Sequence, residues 1–162
     1  MSAALHRPPA VAGQFYPASP EELARQVEAC LESAPKGKPD GELIALLAPH
    51  AGYVFSGGAA GAAFRLVEPS WSRVVLLGPA HRVAVSGAAV WARGSYATPL
   101  GPVPVDEDLA ARLLAASPLF RDERGPHAGE HSLEVELPFL QKRLDAFRVV
   151  PILLNTADLE RA

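Results

Sequence analysis

The residues best suited to chemistry are histidines. The sequence holds five: His6, His50, His81, His127 and His131. His50 and His81 sit in matching contexts, Ala48-Pro49-His50-Ala51-Gly52 and Gly78-Pro79-Ala80-His81-Arg82. Each closely follows an apolar run that reads as a buried parallel strand. Ligands of open α/β sheets bind just outside the carboxyl ends of strands. Neighbouring strand ends lie about 5 Å apart, so two such loops bring two imidazoles within reach of one ion. The prolines stiffen both loops, as a metal ligand requires. The alternative is a pair of unrelated loop histidines.

A pair of histidines does not complete a metal site. Non-haem iron typically takes two histidines and a carboxylate, and catalytic zinc takes three protein ligands. Glu130, His131 or a residue beyond Ala162 could fill the third place. Glu130-His131-Ser132, with Glu134 close behind, reads in two ways. Ser132 caps a helix whose first turn favours acids, or a carboxylate orients a histidine. His127 and His131 are four apart, but Gly125, Pro126 and Gly129 argue against a helix there, and His127 reads as exposed. Tyr53, Ser56, Gly57 and Gly58 follow His50 at a helix start. Backbone N–H groups there could hold an anion, or the glycines serve close packing.

The elements that position these residues follow from periodicity and punctuation. Residues 6–17 form an irregular arm. Ser19-Pro20-Glu21-Glu22 is a helix start with Ser19 as cap and Pro20 at the first helical position. Leu23, Val27, Cys30, Leu31 and Ala34 then share one face, which makes Cys30 a core residue. Residues 43–48 and 73–77 are short apolar runs flanking a Gly- and Ala-rich helix over 57–67. Together they read as a right-handed βαβ unit with both strands buried. Residues 88–92 form a strand, 98–101 a turn and 103–105 an extended piece. Asp106 caps a helix running to about 116, with Leu109, Leu113 and Ala116 inward. Residues 121–129 are a charged surface loop. Ser132 starts a helix through 144 that bends near Pro138, and 147–154 is a third buried strand. Thr156 or Asp158 begins a last helix with about one turn to follow, which is too short to stand alone. The expectation is therefore a single domain over 1–162 that belongs to a longer protein. It is an α/β fold with a largely parallel central sheet.

Composition narrows the classes. Hydrophobic residues make up 49% and charged residues 20%, the usage of a globular chain, with a net charge of -3. No basic stripe suits a phosphate backbone, so nucleic acid is not an expected partner. No apolar run approaches ~20 residues, so no membrane span is expected. Cys30 is the one cysteine and has no partner for an internal disulfide. A cytoplasmic location fits.

Four segments carry a resemblance. They are Pro9-Ala10-Val11-Ala12-Gly13-Gln14-Phe15-Tyr16-Pro17; Ala48-Pro49-His50-Ala51-Gly52-Tyr53 with Ser56-Gly57; Leu77-Gly78-Pro79-Ala80-His81-Arg82; and Glu130-His131-Ser132-Leu133-Glu134 with Leu137-Pro138-Phe139. Thr98-Pro99-Leu100-Gly101 and Asp106 add to it. In this order and spacing the chain resembles the N-terminal part of the Memo-like family, also called AmmeMemoRadiSam system protein B. The resemblance implies a three-layer sandwich similar to class III extradiol dioxygenases. It implies that His50 and His81 are metal ligands. Phe15 and Tyr16 then form an aromatic wall, with Tyr53, Ser56, Glu130, His131 and Glu134 around the pocket. It implies a divalent metal, iron first, with copper or zinc as alternatives. It implies a small-molecule or peptide ligand, metal-dependent redox or dioxygenase-like chemistry, and a radical-SAM protein partner. The competing function is a non-catalytic binding module with a vestigial site. Family members carry a later Asp-Phe-(Ser or Cys)-His segment that is absent from these residues. The isolated chain is accordingly expected to be inactive and to form homo-oligomers.

Overall fold

The computed structural model describes residues 5–155 except 36 and 38. The expected helix start at Thr156 or Asp158 lies outside the described residues. The elements, in order, are β1 (His6–Arg7), α1 (Pro20–Glu32), α2 (Tyr53–Phe64), β2 (Arg73–Pro79), β3 (Ala88–Val90), β4 (Ser95–Thr98), β5 (Gly101–Pro104), α3 (Glu107–Ala116), β6 (Phe120–Asp122), α4 (Gly125–Ala128), a 3-10 turn (Glu134–Glu136), α5 (Leu137–Arg143) and β7 (Arg148–Leu154). None of the described helices is long and apolar enough to cross a membrane.

The larger sheet has the strand order β2-β7-β3-β6. Its β2/β7 and β3/β6 pairs are parallel, but β3 runs antiparallel to β7. The sheet is thus mixed, with two of its three pairings parallel and one antiparallel. The link between β2 and β3 contains no helix, and without such a crossover the chain returns in the opposite direction. The smaller sheet, β1-β4-β5, meets the larger one through a bridge between Val105 and Val149.

Strand β7 organises the core because successive side chains point to opposite faces. Val149 and Leu153 join Leu76 and the residues of α1, α2 and α5 in one cluster. Val150 and Ile152 join Ala88, Val90 and Ala110 of α3 in another. Ser19 accepts from the Glu22 N–H at 3.3 Å, and Asp106 accepts from the Leu109 N–H at 3.1 Å, so both expected caps form. Helices α1 and α2 cross closely. A Cβ at Gly61 would lie 2.3 Å from the Cys30 carbonyl oxygen, so this crossing demands glycine. Cys30 is half-buried against α2, as its position on the apolar face implies.

The first strand of the expected βαβ unit does not form. Residues 43–48 pair with no strand among the described residues, and Ile44 and Leu47 are 90% and 95% exposed. Strand β2 lies at the sheet edge with Val75 and Leu77 exposed. A wholly apolar strand needs cover on both faces. The described residues leave this side of β2 open.

Candidate metal centre

The site is assembled from three loops. The end of β2 leads directly to His81, the apolar stretch before α2 ends at His50, and the turn after α4 carries Glu130 and His131. The imidazole centroids are 5.2 Å apart for His50 and His81, 4.7 Å for His81 and His131, and 6.0 Å for His50 and His131. The rings of His50, His81 and His131 thus lie side by side, and His50 and His131 line a common cleft. Nitrogens of His81 and His131 and a Glu130 oxygen lie within 4.8 Å of one another. His50 stands just outside that tighter group.

Glu130 is 2% exposed and sits behind the rings. Its Oε1 lies 2.9 Å from His81 Nδ1 and accepts from the backbone N–H groups of His131 at 2.8 Å and Ser132 at 3.0 Å. Its Oε2 accepts from the His81 N–H at 2.6 Å. Burial pushes this carboxyl up. The opposing hydrogen bonds, led by His81 Nδ1, win and hold it at about 2. Burial lowers His50 and His131, and neighbouring histidines lower both further. Their imidazoles therefore stay neutral near pH 7, the form that ligates metals. His131 Nδ1 is buried without a hydrogen-bond partner. Glu130 Oε1 approaches it at 3.1 Å, but the alignment is not that of a hydrogen bond.

Ser132 is not a helix cap. Its hydroxyl donates to the Pro79 carbonyl at 2.9 Å and ties the Glu130 loop to the end of β2. The following segment opens as a 3-10 turn, and α5 starts only at Leu137, with Pro138 in its first turn. Close docking explains this: a Cβ on Gly78 would meet Leu133 at 2.6 Å, so packing against β2 shapes the backbone here.

A cleft of about 550 Å³ opens beside the imidazoles, lined by Gln14, Phe15, Pro49, His50, Phe55 and His131 among others. Phe15 packs on His131 at 4.7 Å and lines the cleft. Tyr16 is not part of the expected aromatic wall. It is 3% exposed and donates its hydroxyl to Glu134. Tyr53 is also a core residue, donating to the Val135 carbonyl at 2.7 Å. Ser56 donates to the Ala51 carbonyl at 3.1 Å and so closes the first turn of α2. Glu134 is fully buried, away from the cleft. It accepts from Ala10 N–H at 2.8 Å, Val11 N–H at 3.0 Å and the Arg7 guanidinium. These residues hold the arm that delivers Phe15 but do not face the cleft.

His127 is buried, not exposed. It hydrogen-bonds the Tyr96 hydroxyl and the Ala89 carbonyl. Burial holds it at about 4, so it is a neutral core residue. Sequence reading missed Arg7 altogether. Its side chain reaches the His127 carbonyl at 2.9 Å, the Glu130 carbonyl and Glu134. Phe55 was also missed, because a helix start next to glycines gives no sign of which face meets a cleft.

Fold and site together define an α/β domain with a histidine-lined cleft at a strand end. The Memo-like protein family matches residues 7–162. A MEMO1 family protein of Methanopyrus kandleri is 42% identical over 98% of this chain and 59% of its own length. One from Thermotoga neapolitana is 38% identical, covering 91% of the chain and 57% of its own length. One from Methanosarcina barkeri is 41% identical over 95% and 56% respectively. The chain belongs to the Memo-like family and spans somewhat under three-fifths of the length of these relatives.

Proposed function

We propose that this chain is a divalent-metal-binding protein whose site is formed by the imidazoles of His50, His81 and His131. The observation that carries this is the clustering of three histidine rings with centroids 4.7–6.0 Å apart. The donor set fits: imidazole nitrogen suits iron, copper and zinc, and the unpartnered His131 Nδ1 is a buried polar atom in want of a partner. Iron is the ion proposed first, on the resemblance to class III extradiol dioxygenases. Bound there, a metal supplies Lewis acidity, and iron also O₂ chemistry. The chain's own residues bind the metal with imidazoles, orient one of these rings through Glu130, and offer Phe15 and Phe55 to the apolar face of a small ligand. A radical-SAM protein partner belongs to the same proposal and rests on the family resemblance.

The test is metal binding by calorimetry and elemental analysis after anaerobic loading with Fe(II), and separately with Zn(II). The parent chain is expected to take up one ion. His81→Ala and His131→Ala are each expected to weaken binding more than the about 10–100-fold that loss of an outer-shell partner costs. Binding that is equal in the parent and in the His81→Ala, His131→Ala double variant would overturn the assignment.

Association is part of the proposal. Ile44, Leu47, Val54, Phe55, Val75 and Leu77 are all exposed, and exposed apolar surface favours self-association. We expect the chain to form dimers or larger species at high concentration in light scattering. Ile44→Glu with Leu47→Glu should shift it to monomer, whereas a monomeric parent with cooperative unfolding would count against this.

A further inference from the structure

The cluster of His81, Glu130 and His131 allows Glu130 two roles. It could ligate an ion itself, or it could act only on the rings that do. Its contacts distinguish the two. An ionised carboxylate offers about four lone-pair sites. Oε1 meets His81 Nδ1 at 2.9 Å, the His131 N–H at 2.8 Å and the Ser132 N–H at 3.0 Å, and Oε2 meets the His81 N–H at 2.6 Å. Four nitrogens thus surround one carboxylate. Three of them crowd Oε1 and one holds Oε2, so the carboxylate is turned to the two histidine loops and pins both.

Depth points the same way. The Glu130 side chain is 2% exposed, against 40% for His81 and 16% for His131. From the solvent inward the order is imidazole first, carboxylate behind. Its effect on the two rings is unequal. The contact with His81 Nδ1 has hydrogen-bond geometry, while the approach to His131 Nδ1 does not. A carboxylate accepts only from a protonated nitrogen, so the His81 contact requires the proton on Nδ1, which in the neutral ring leaves the lone pair on Nε2.

We propose that Glu130 is a positioning residue that locks His81 in its Nδ1–H tautomer and keeps the Nε2 lone pair free for an ion, without being a ligand itself. The inference rests on the metal-site reading for its purpose, but the tautomer is a property of the chain alone. The carboxylate does for the ring what its backbone bonds do for the loop: it leaves His81 one orientation and one protonated nitrogen.

Long-range proton–nitrogen NMR on the histidine-labelled, metal-free chain reads the tautomer directly. The Nδ1–H form is expected for His81, and the Nε2–H form would overturn the inference even if no variant folds. Co(II) then serves as the metal probe. Glu130→Gln is expected to release the tautomer preference and weaken Co(II) binding about 10–100-fold, with the visible spectrum of the bound ion unchanged. A changed spectrum would make Glu130 a ligand and overturn the inference. Ser132→Ala is the control, since it removes a tie between the same loops without touching the carboxylate. It is expected to lower stability and leave tautomer and affinity as they were. If Glu130→Gln behaves like Ser132→Ala, the role is structural only and the inference fails. If the parent binds no Co(II), the metal-site reading fails, and the tautomer measurement still decides this one.

Discussion

Arg7→Ala is expected to lower the unfolding free energy by about 3–5 kcal/mol, the range for breaking a buried ion pair by removing one partner. The Arg7 and Glu134 side chains are both 0% exposed. The guanidinium also satisfies the carbonyls of His127 and Glu130, and it lies 4.7 Å from the centre of the Tyr96 ring. Truncation therefore leaves a buried carboxylate without its cation and orphans two buried carbonyls, each costly in a dry interior. Arg7→Lys keeps the charge but lacks the planar fork that reaches three acceptors, so it should fall between parent and Ala variant. Urea unfolding checks both. A loss below about 1 kcal/mol for Arg7→Ala, the level of an exposed pair, would show that this network is not what holds the arm. Because Arg7 grips the Glu130 carbonyl, its loss should also loosen the loop that carries Glu130 and His131.

Glu136→Gln is expected to act in the opposite direction, and only above acidic pH. Glu136 is 9% exposed, its carboxyl makes no hydrogen bond among the described residues, and burial pushes it up to about 8 from an ordinary 4.5. Below pH 4.5 the group is protonated in the folded and unfolded chains alike, so nothing is lost. Between pH 4.5 and 8 the unfolded chain releases the proton while the folded chain keeps it, and stability falls as pH rises. Above that window the full penalty of a buried charge applies. Glutamine cannot ionise. The variant should therefore match the parent near pH 4 and exceed it by roughly 5 kcal/mol near pH 9, the shift from 4.5 to about 8 taken at about 1.4 kcal/mol per pKa unit. Unfolding curves at the two pH values decide it. Equal stability of parent and variant at pH 9 would mean that the carboxylate finds solvent or a partner when charged.

The sequence by itself determined what depends on neighbours within a turn or on a run of apolar residues. Ser19 and Asp106 cap their helices because the groups they satisfy lie three residues on, whatever the rest of the chain does. The apolar run of β7 is buried along nearly its whole length, because it can be stable only between two covered faces. His50 and His81 were legible as a pair in their matching Pro-flanked contexts, and their rings lie 5.2 Å apart, although only His81 follows a strand. The family too was legible, in the order of its motifs.

Tertiary structure decided the rest. Residues 43–48 have a strand's composition but no strand partner among the described residues, and pairing is a property of two segments, not of one. His127 lies in a charged, Gly- and Pro-rich stretch that reads as surface. It is buried because Tyr96 and Ala89, far away in sequence, supply its hydrogen bonds. Glu134 and Tyr16, expected beside the pocket, are taken into the core by Arg7, which no local pattern marks. His131 was a candidate with no basis for choosing it until the loop after α4 docked on the end of β2 and set its ring 4.7 Å from that of His81. Caps and buried runs follow from short-range sterics and from the removal of apolar surface from water. The partners of a buried charge or an imidazole are set by contacts across more than a hundred residues in some cases, and those exist only once the chain has folded.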